Sequence, residues 1–122
     1  MSKVRSVCWD ELAWEKVRDD FHRKMVSGER VMVAKLLLKK GARVQMHRHV
    51  NEQLTVVLEG SIKFWFDDNT ELVAKTGDVV VIPSNVGHAA EALEDTVTFD
   101  IFCTAAGRLA NRKRPLPTTI AP

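Results

Sequence analysis

The sequence predicts an all-β, single-domain fold, a sandwich or barrel, on three observations. Short runs rich in branched and aromatic residues recur along the chain. Each run stops at a glycine, asparagine or aspartate after roughly 8 to 12 residues, the spacing of strands in such folds. The only stretch with a helical period, Trp9 to Arg18, is short. A chain of 122 residues has room for one domain and not two. A domain of that size closes a core without disulfide staples.

Taken in order, residues 1–20 read as an N-terminal segment and 21–106 as the barrel. From about Phe21 the pattern is strand-like. Arg30-Val-Met-Val-Ala-Lys-Leu-Leu-Leu ends at Lys39-Lys40-Gly41. Gln53 to Glu59 (QLTVVLE) is closed by Gly60. Ser61-Ile-Lys-Phe-Trp-Phe alternates and stops at Asp67-Asp68-Asn69, a turn signal. Glu71 to Lys75, Val79 to Ile82, His88 to Leu93 and Thr96 to Cys103 obey the same rule. After Cys103 the pattern dissolves. Residues 107–122 hold Arg108, Arg112, Lys113, Arg114 and three of the four prolines, a loose basic C-terminal tail.

Composition narrows the function classes. Apolar residues make up 45% and charged residues 28%, a soluble globular profile. A net charge of +2, from 18 basic and 16 acidic side chains, is too even to point to nucleic acid or membrane. No apolar run approaches the ~18 residues that span a bilayer. The opening MSKVRSVCWDELAW lacks the apolar core of a signal peptide. Cys8 and Cys103 have no C-x-x-C spacing and read as free, buried thiols. Together these features predict a cytoplasmic protein.

The chemistry gathers around few residues. His47 and His49 stand two apart, and in a strand residues i and i+2 point to one face. Their imidazoles lie about 6 to 7 Å apart along the chain, close enough to converge on one metal. Arg48, between them, points the other way. His22 lies outside any pattern and is expected at the surface.

The spacing around these histidines carries a resemblance. Gly41, five residues, His47-Arg-His49, three residues, Gln53, six residues and Gly60 form one block. Gly77, five residues, Pro83, four residues and His88 form another. The two blocks resemble the two motifs of the cupin superfamily, G-x5-H-x-H-x3,4-E-x6-G and G-x5-P-x-G-x2-H-x3-N. The resemblance implies a cupin double-stranded β-helix, a jelly-roll barrel, holding one divalent metal on His47, His49, Gln53 and His88. Gln53 stands where the motif has Glu. Glu52 is one step off the register, and one step along a strand changes face. Asn85 replaces the usual Gly, and Asn tolerates a left-handed backbone better than other side chains. Ala92 replaces the usual Asn. Three imidazoles and an amide leave the full +2 of the metal uncompensated, which favours anionic ligands and Lewis-acid chemistry over oxygenase chemistry. Zinc, nickel, manganese or iron would all accept such a donor set.

One carboxylate stands inside a buried strand. In Thr96-Val-Thr-Phe-Asp-Ile-Phe-Cys, Asp100 shares a face with Thr98 and Phe102, while Val97, Phe99 and Ile101 share the other. A buried carboxylate is costly unless it is paired or functional, and Arg23 is a candidate partner. With His47-Arg-His-Val-Asn-Glu-Gln, the segment from Ile82 to Asp95 and Phe99-Asp-Ile-Phe, the chain resembles the pectin-degradation cupins. These linearise 4,5-unsaturated galacturonate and mannuronate. The resemblance implies a small anionic sugar-acid substrate, a metal on His47, His49, Gln53 and His88, and a catalytic Asp100. Phe102 and Arg23 are pocket candidates. The similarity breaks after Phe102, where Cys103-Thr-Ala-Ala-Gly follows and Arg108 is displaced. A metal-dependent dioxygenase and a non-catalytic sugar or small-acid binding module are the competing readings. Leu54, Val56 and Leu58 face outward with Val97, Phe99 and Ile101, an apolar face that predicts a homodimer.

Overall fold

A computed structural model describes residues 3–103. The expected tail 107–122 lies outside the described residues. The strands are β1 (Glu15–Arg18), β2 (Phe21–Ser27), β3 (Val31–Leu38), β4 (Arg43–His47), β5 (Glu52–Glu59), β6 (Ser61–Phe66), β7 (Glu71–Lys75), β8 (Val79–Ile82), β9 (His88–Ala92) and β10 (Thr96–Cys103). They form two antiparallel sheets. The larger runs β1-β2-β3-β10-β5-β8 and the smaller β4-β9-β6-β7. This is the single-domain jelly roll that the motif spacing predicts. No helix among the described residues is long and apolar enough to cross a membrane.

Alternation decides what faces inward. On β10, Thr96, Thr98, Asp100 and Phe102 are buried and the residues between them half-buried. Ala34, Leu36 and Leu38 on β3 and Gln53, Thr55 and Val57 on β5 do the same. With Phe21, Ile62, Phe64, Val80 and Ile82 they close the core between the sheets. Turns at the motif positions need unusual backbone. Gly60 sits at φ +90, and a side chain there would clash with the Asp95 carbonyl. Asn85 takes φ 64, so the left-handed turn survives loss of the usual glycine, as Asn permits.

Three local expectations are corrected. Trp9 to Arg18 is not a helix. A single 3-10 turn at Trp9–Glu11 is followed by β1, which joins the larger sheet through the Lys16–His22 pairing. So short a stretch gains more from a sheet ladder than from a helix whose nucleation it cannot offset. Both cysteines are free, as expected, but exposed and not buried. Cys8 precedes the 3-10 turn, and Cys103 lies on the outward alternation of β10. His22 is half-buried and not on the surface, and its Nδ1 has no partner among the described residues. The N-terminal segment also lies over the apolar outer face of the larger sheet. Trp9 stacks on Phe99 with centroids 5.7 Å apart. Lys24 Nζ donates to the Trp9 carbonyl and sits 4.5 Å from the Trp14 ring centroid.

Candidate metal centre

Antiparallel pairing of β4 with β9 sets His47 opposite His88, ring centroids 4.3 Å apart. β4 ends there, so His49 is not on the strand expected to carry it. It lies in the following loop, and its carbonyl accepts the Asn85 N–H at 2.8 Å. The three rings still converge. Centroids of His47 and His49 are 5.4 Å apart and those of His49 and His88 5.0 Å. One nitrogen from each ring falls within 4.8 Å of the others, a spacing that could hold one metal ion.

The hydrogen bonds show which nitrogens face the centre. Nδ1 of His47 donates to the Gln45 carbonyl at 2.8 Å, Nδ1 of His49 to Asn51 at 3.0 Å and Nδ1 of His88 to Val86 at 2.8 Å. A carbonyl can only accept, so each Nδ1 carries the proton and each Nε2 presents a lone pair. All three Nε2 atoms are buried and have no partner among the described residues. Such orphans are costly unless something fills the space between them. A divalent ion fits this donor set. Burial also holds all three histidines below the usual range, His88 to about 4, which favours the neutral, ligating form. For His49 the Asn51 carbonyl and the Gln53 amide offset part of that burial effect.

Register puts Gln53 inside the barrel and Glu52 outside. Gln53 is buried between Ile82 and Phe102, whereas Glu52 is exposed. Its Nε2 donates to Thr55 Oγ1 at 2.9 Å and to Asp100 Oδ2 at 3.4 Å. Its Oε1 is buried without a partner among the described residues, a fourth orphaned ligand atom. Thr55 escaped the sequence reading. Its spacing of two from Gln53 was the available signal, because that spacing puts both side chains on one face.

Asp100 is buried beside this group. Thr98 Oγ1 donates to its Oδ1 at 3.2 Å. Burial pushes its carboxyl up to about 7, against the pull of hydrogen bonds from Thr55 and Thr98. Arg23 is not its partner. Arg23 Nε and Nη2 donate to the two oxygens of Glu15, at 3.0 and 3.4 Å, leaving a buried Nη1 without a partner among the described residues. Its place is opposite Leu36 on β3, which in turn pairs with Thr98. Phe102 does adjoin the centre, with its ring 5.6 Å from that of His49 in an edge-to-face contact.

A jelly roll with three convergent imidazoles between its sheets defines the class of protein. The chain belongs to the cupin family, whose Cupin domain model matches residues 34–104. No curated protein matches it by sequence. Among solved structures it is similar to KdgF from a Halomonas species, at 27% identity and a TM-score of 0.73 over 79% of this chain and 91% of that one. It is also similar to an RmlC-like cupin from Shewanella frigidimarina, at 24% identity and a TM-score of 0.77, covering 84% and 93%. Bacillus subtilis oxalate decarboxylase, described with manganese(II) centres, shares the fold at 17% identity and a TM-score of 0.73, covering 87% of this chain and 31% of that one.

Proposed function

We propose that this cupin binds one divalent metal on His47, His49, Gln53 and His88 and opens the ring of 4,5-unsaturated uronates to give 5-keto-4-deoxyuronates. The observation that carries the reading is the set of four buried atoms without partners among the described residues, three Nε2 and one Oε1, beside a buried carboxylate. The uronate class rests on the motif resemblance and on the likeness to KdgF. A bound zinc, nickel, manganese or iron ion would supply Lewis-acid polarisation of substrate oxygens. The chain's own residues do the rest. Four neutral donors leave the positive charge for an anionic sugar acid. Phe102 walls the centre on the His49 side. Asp100, poised near neutrality, holds or releases a proton as the reaction needs it.

The reaction is an isomerisation and needs no oxidant. The hemiacetal hydroxyl loses its proton, the ring C–O bond at C1 breaks, and an aldehyde and an enolate result. A proton delivered to C4 converts the enolate into the 5-keto group. Turnover is read directly as loss of ultraviolet absorbance at the conjugated double bond. Purified protein should consume unsaturated galacturonate, lose that activity on chelation and regain it with a divalent metal. No turnover by metal-loaded protein removes the uronate reading. Oxygen uptake by an iron-loaded form would put a dioxygenase in its place.

A further inference from the structure

The loop bearing His49 has left its sheet, so something other than ladder hydrogen bonds must hold it. Arg48 spans the gap. Its Nη2 donates to Asp67 Oδ2 at 2.8 Å, and its Nη1 to the Asn85 carbonyl at 3.4 Å. Asp67 directly follows β6, the strand that pairs Phe66 with His88. The same Asp67 Oδ2 accepts the N–H of Gly87 at 3.0 Å, and the Asp67 N–H returns to the Gly87 carbonyl at 3.0 Å. A side chain on Gly87 would come within 2.8 Å of that carboxylate, so the backbone is packed directly on it.

We propose that Arg48 and Asp67 are the positioning residues of the metal centre. They form a clasp that locks the loop bearing His49 to the turn that leads into His88. The proposal rests on the reading that these imidazoles hold a metal. One carboxylate oxygen ties the loop, through Arg48, to the residue just before His88. An isolated ion pair with half-exposed partners contributes little to stability. The value of this pair lies in geometry: strand pairing already sets His47 opposite His88, and the loop ligand His49 must keep its Nε2 beside theirs. Outer contacts that orient ligands are commonly worth 10- to 100-fold in metal affinity.

Cobalt(II) is the probe, because its visible absorption reports coordination geometry. Metal-stripped wild type, Arg48→Met, Asp67→Asn, Asp67→Ala and the Arg48→Met/Asp67→Asn double variant are titrated with it, and the thermal stability of each stripped form is measured. Each single variant should lose roughly 10-fold or more in affinity and change the absorption bands. The double variant should be no worse than the weaker single one, because both substitutions open one clasp. Asp67→Asn keeps volume and an acceptor, so it stays folded if Asp67→Ala does not. Wild-type affinity and bands in Arg48→Met and Asp67→Asn overturn the proposal, as does a drop in thermal stability alone. A wild-type chain that binds no cobalt overturns the metal reading, and the clasp with it.

Discussion

Each imidazole at the centre has one nitrogen tied to a backbone carbonyl and one without a partner among the described residues, and that asymmetry makes the site testable residue by residue. Gln53 offers Oε1 inward while Glu52 faces solvent. Gln53→Ala should therefore weaken metal binding, and Glu52→Ala should leave it unchanged. Gln53→Glu should keep the metal at a lower effective charge. Isothermal titration with zinc checks the set, and the opposite pattern for the two alanine variants would shift the register by one residue. Asp100 separates an enzyme from a binder. Asn fills nearly the same volume but cannot carry a proton at neutral pH, so Asp100→Asn should keep its metal and lose roughly 10² to 10⁴-fold in turnover. The same variant tests the electrostatics of metal-stripped protein. With its carboxyl raised from 3.8 to about 7, the folded state holds a proton that the unfolded chain releases. That contribution is complete at low pH and is lost as pH rises through 7. His88, lowered from 6.5 to about 4, acts in the opposite sense, and its contribution is lost as pH falls. The two slopes oppose each other in the wild type. Asp100→Asn removes the first, so its stability should climb more steeply with pH over this window. Urea titrations at several pH values measure it, and identical slopes would count against a protonated Asp100.

At the scale of elements, the strands need turns that only certain residues can make. Gly60 closes β5 into β6 at φ +90, with the Asp95 carbonyl and the Thr96 backbone packed on its open side. Gly77 has a similar φ of +94 and open space around it. Gly60→Ala therefore combines backbone strain with a clash against atoms that cannot move independently, whereas Gly77→Ala brings strain alone. Both should destabilise, Gly60→Ala by clearly more than the ~1 kcal/mol expected at Gly77. Chemical denaturation of the two variants decides it, and equal losses would mean that the β5–β6 corner relaxes around the new methyl group. This corner matters for the site, because β5 carries Gln53 and Thr55 inward.

At the scale of the whole molecule, the two faces of the larger sheet differ in kind. The inner face holds the core and the centre. The outer face carries Leu54, Val56, Leu58, Val97, Phe99 and Ile101, all half-buried, and Trp9 covers Phe99. Edge strand β8 exposes Val79 at 55% and Val81 at 59%. An apolar face reaching an open sheet edge is suited to pairing with a second copy, and we propose a homodimer through it. Sedimentation equilibrium should show a dimer that Val79→Lys/Val81→Lys converts to monomer. A monomeric wild type would leave the face without that role.

Much of this was legible in the chain. Strand limits such as Ser61 to Phe66 and Thr96 to Cys103 follow from alternation, because side chains in a strand change face at every residue whatever the partner. The inward set Thr98, Asp100 and Phe102 follows from the same period, and the choice of Gln53 over Glu52 from motif spacing. Where the partner matters, the chain was silent. Whether Trp9 to Arg18 coils or pairs depends on β2 being free at the sheet edge. The exposure of Cys8 depends on what the N-terminal segment covers. Arg23 meets Glu15 and not Asp100 because β1 brings that carboxylate alongside. The Arg48–Asp67 contact spans 19 residues, and the contact of Gln53 with Asp100 spans 47. Local periodicity determined which side chains face inward, since it needs only the backbone's own geometry. Which inward groups meet was decided by tertiary structure, because strand order and the loops that leave the sheet set distances that no local pattern encodes.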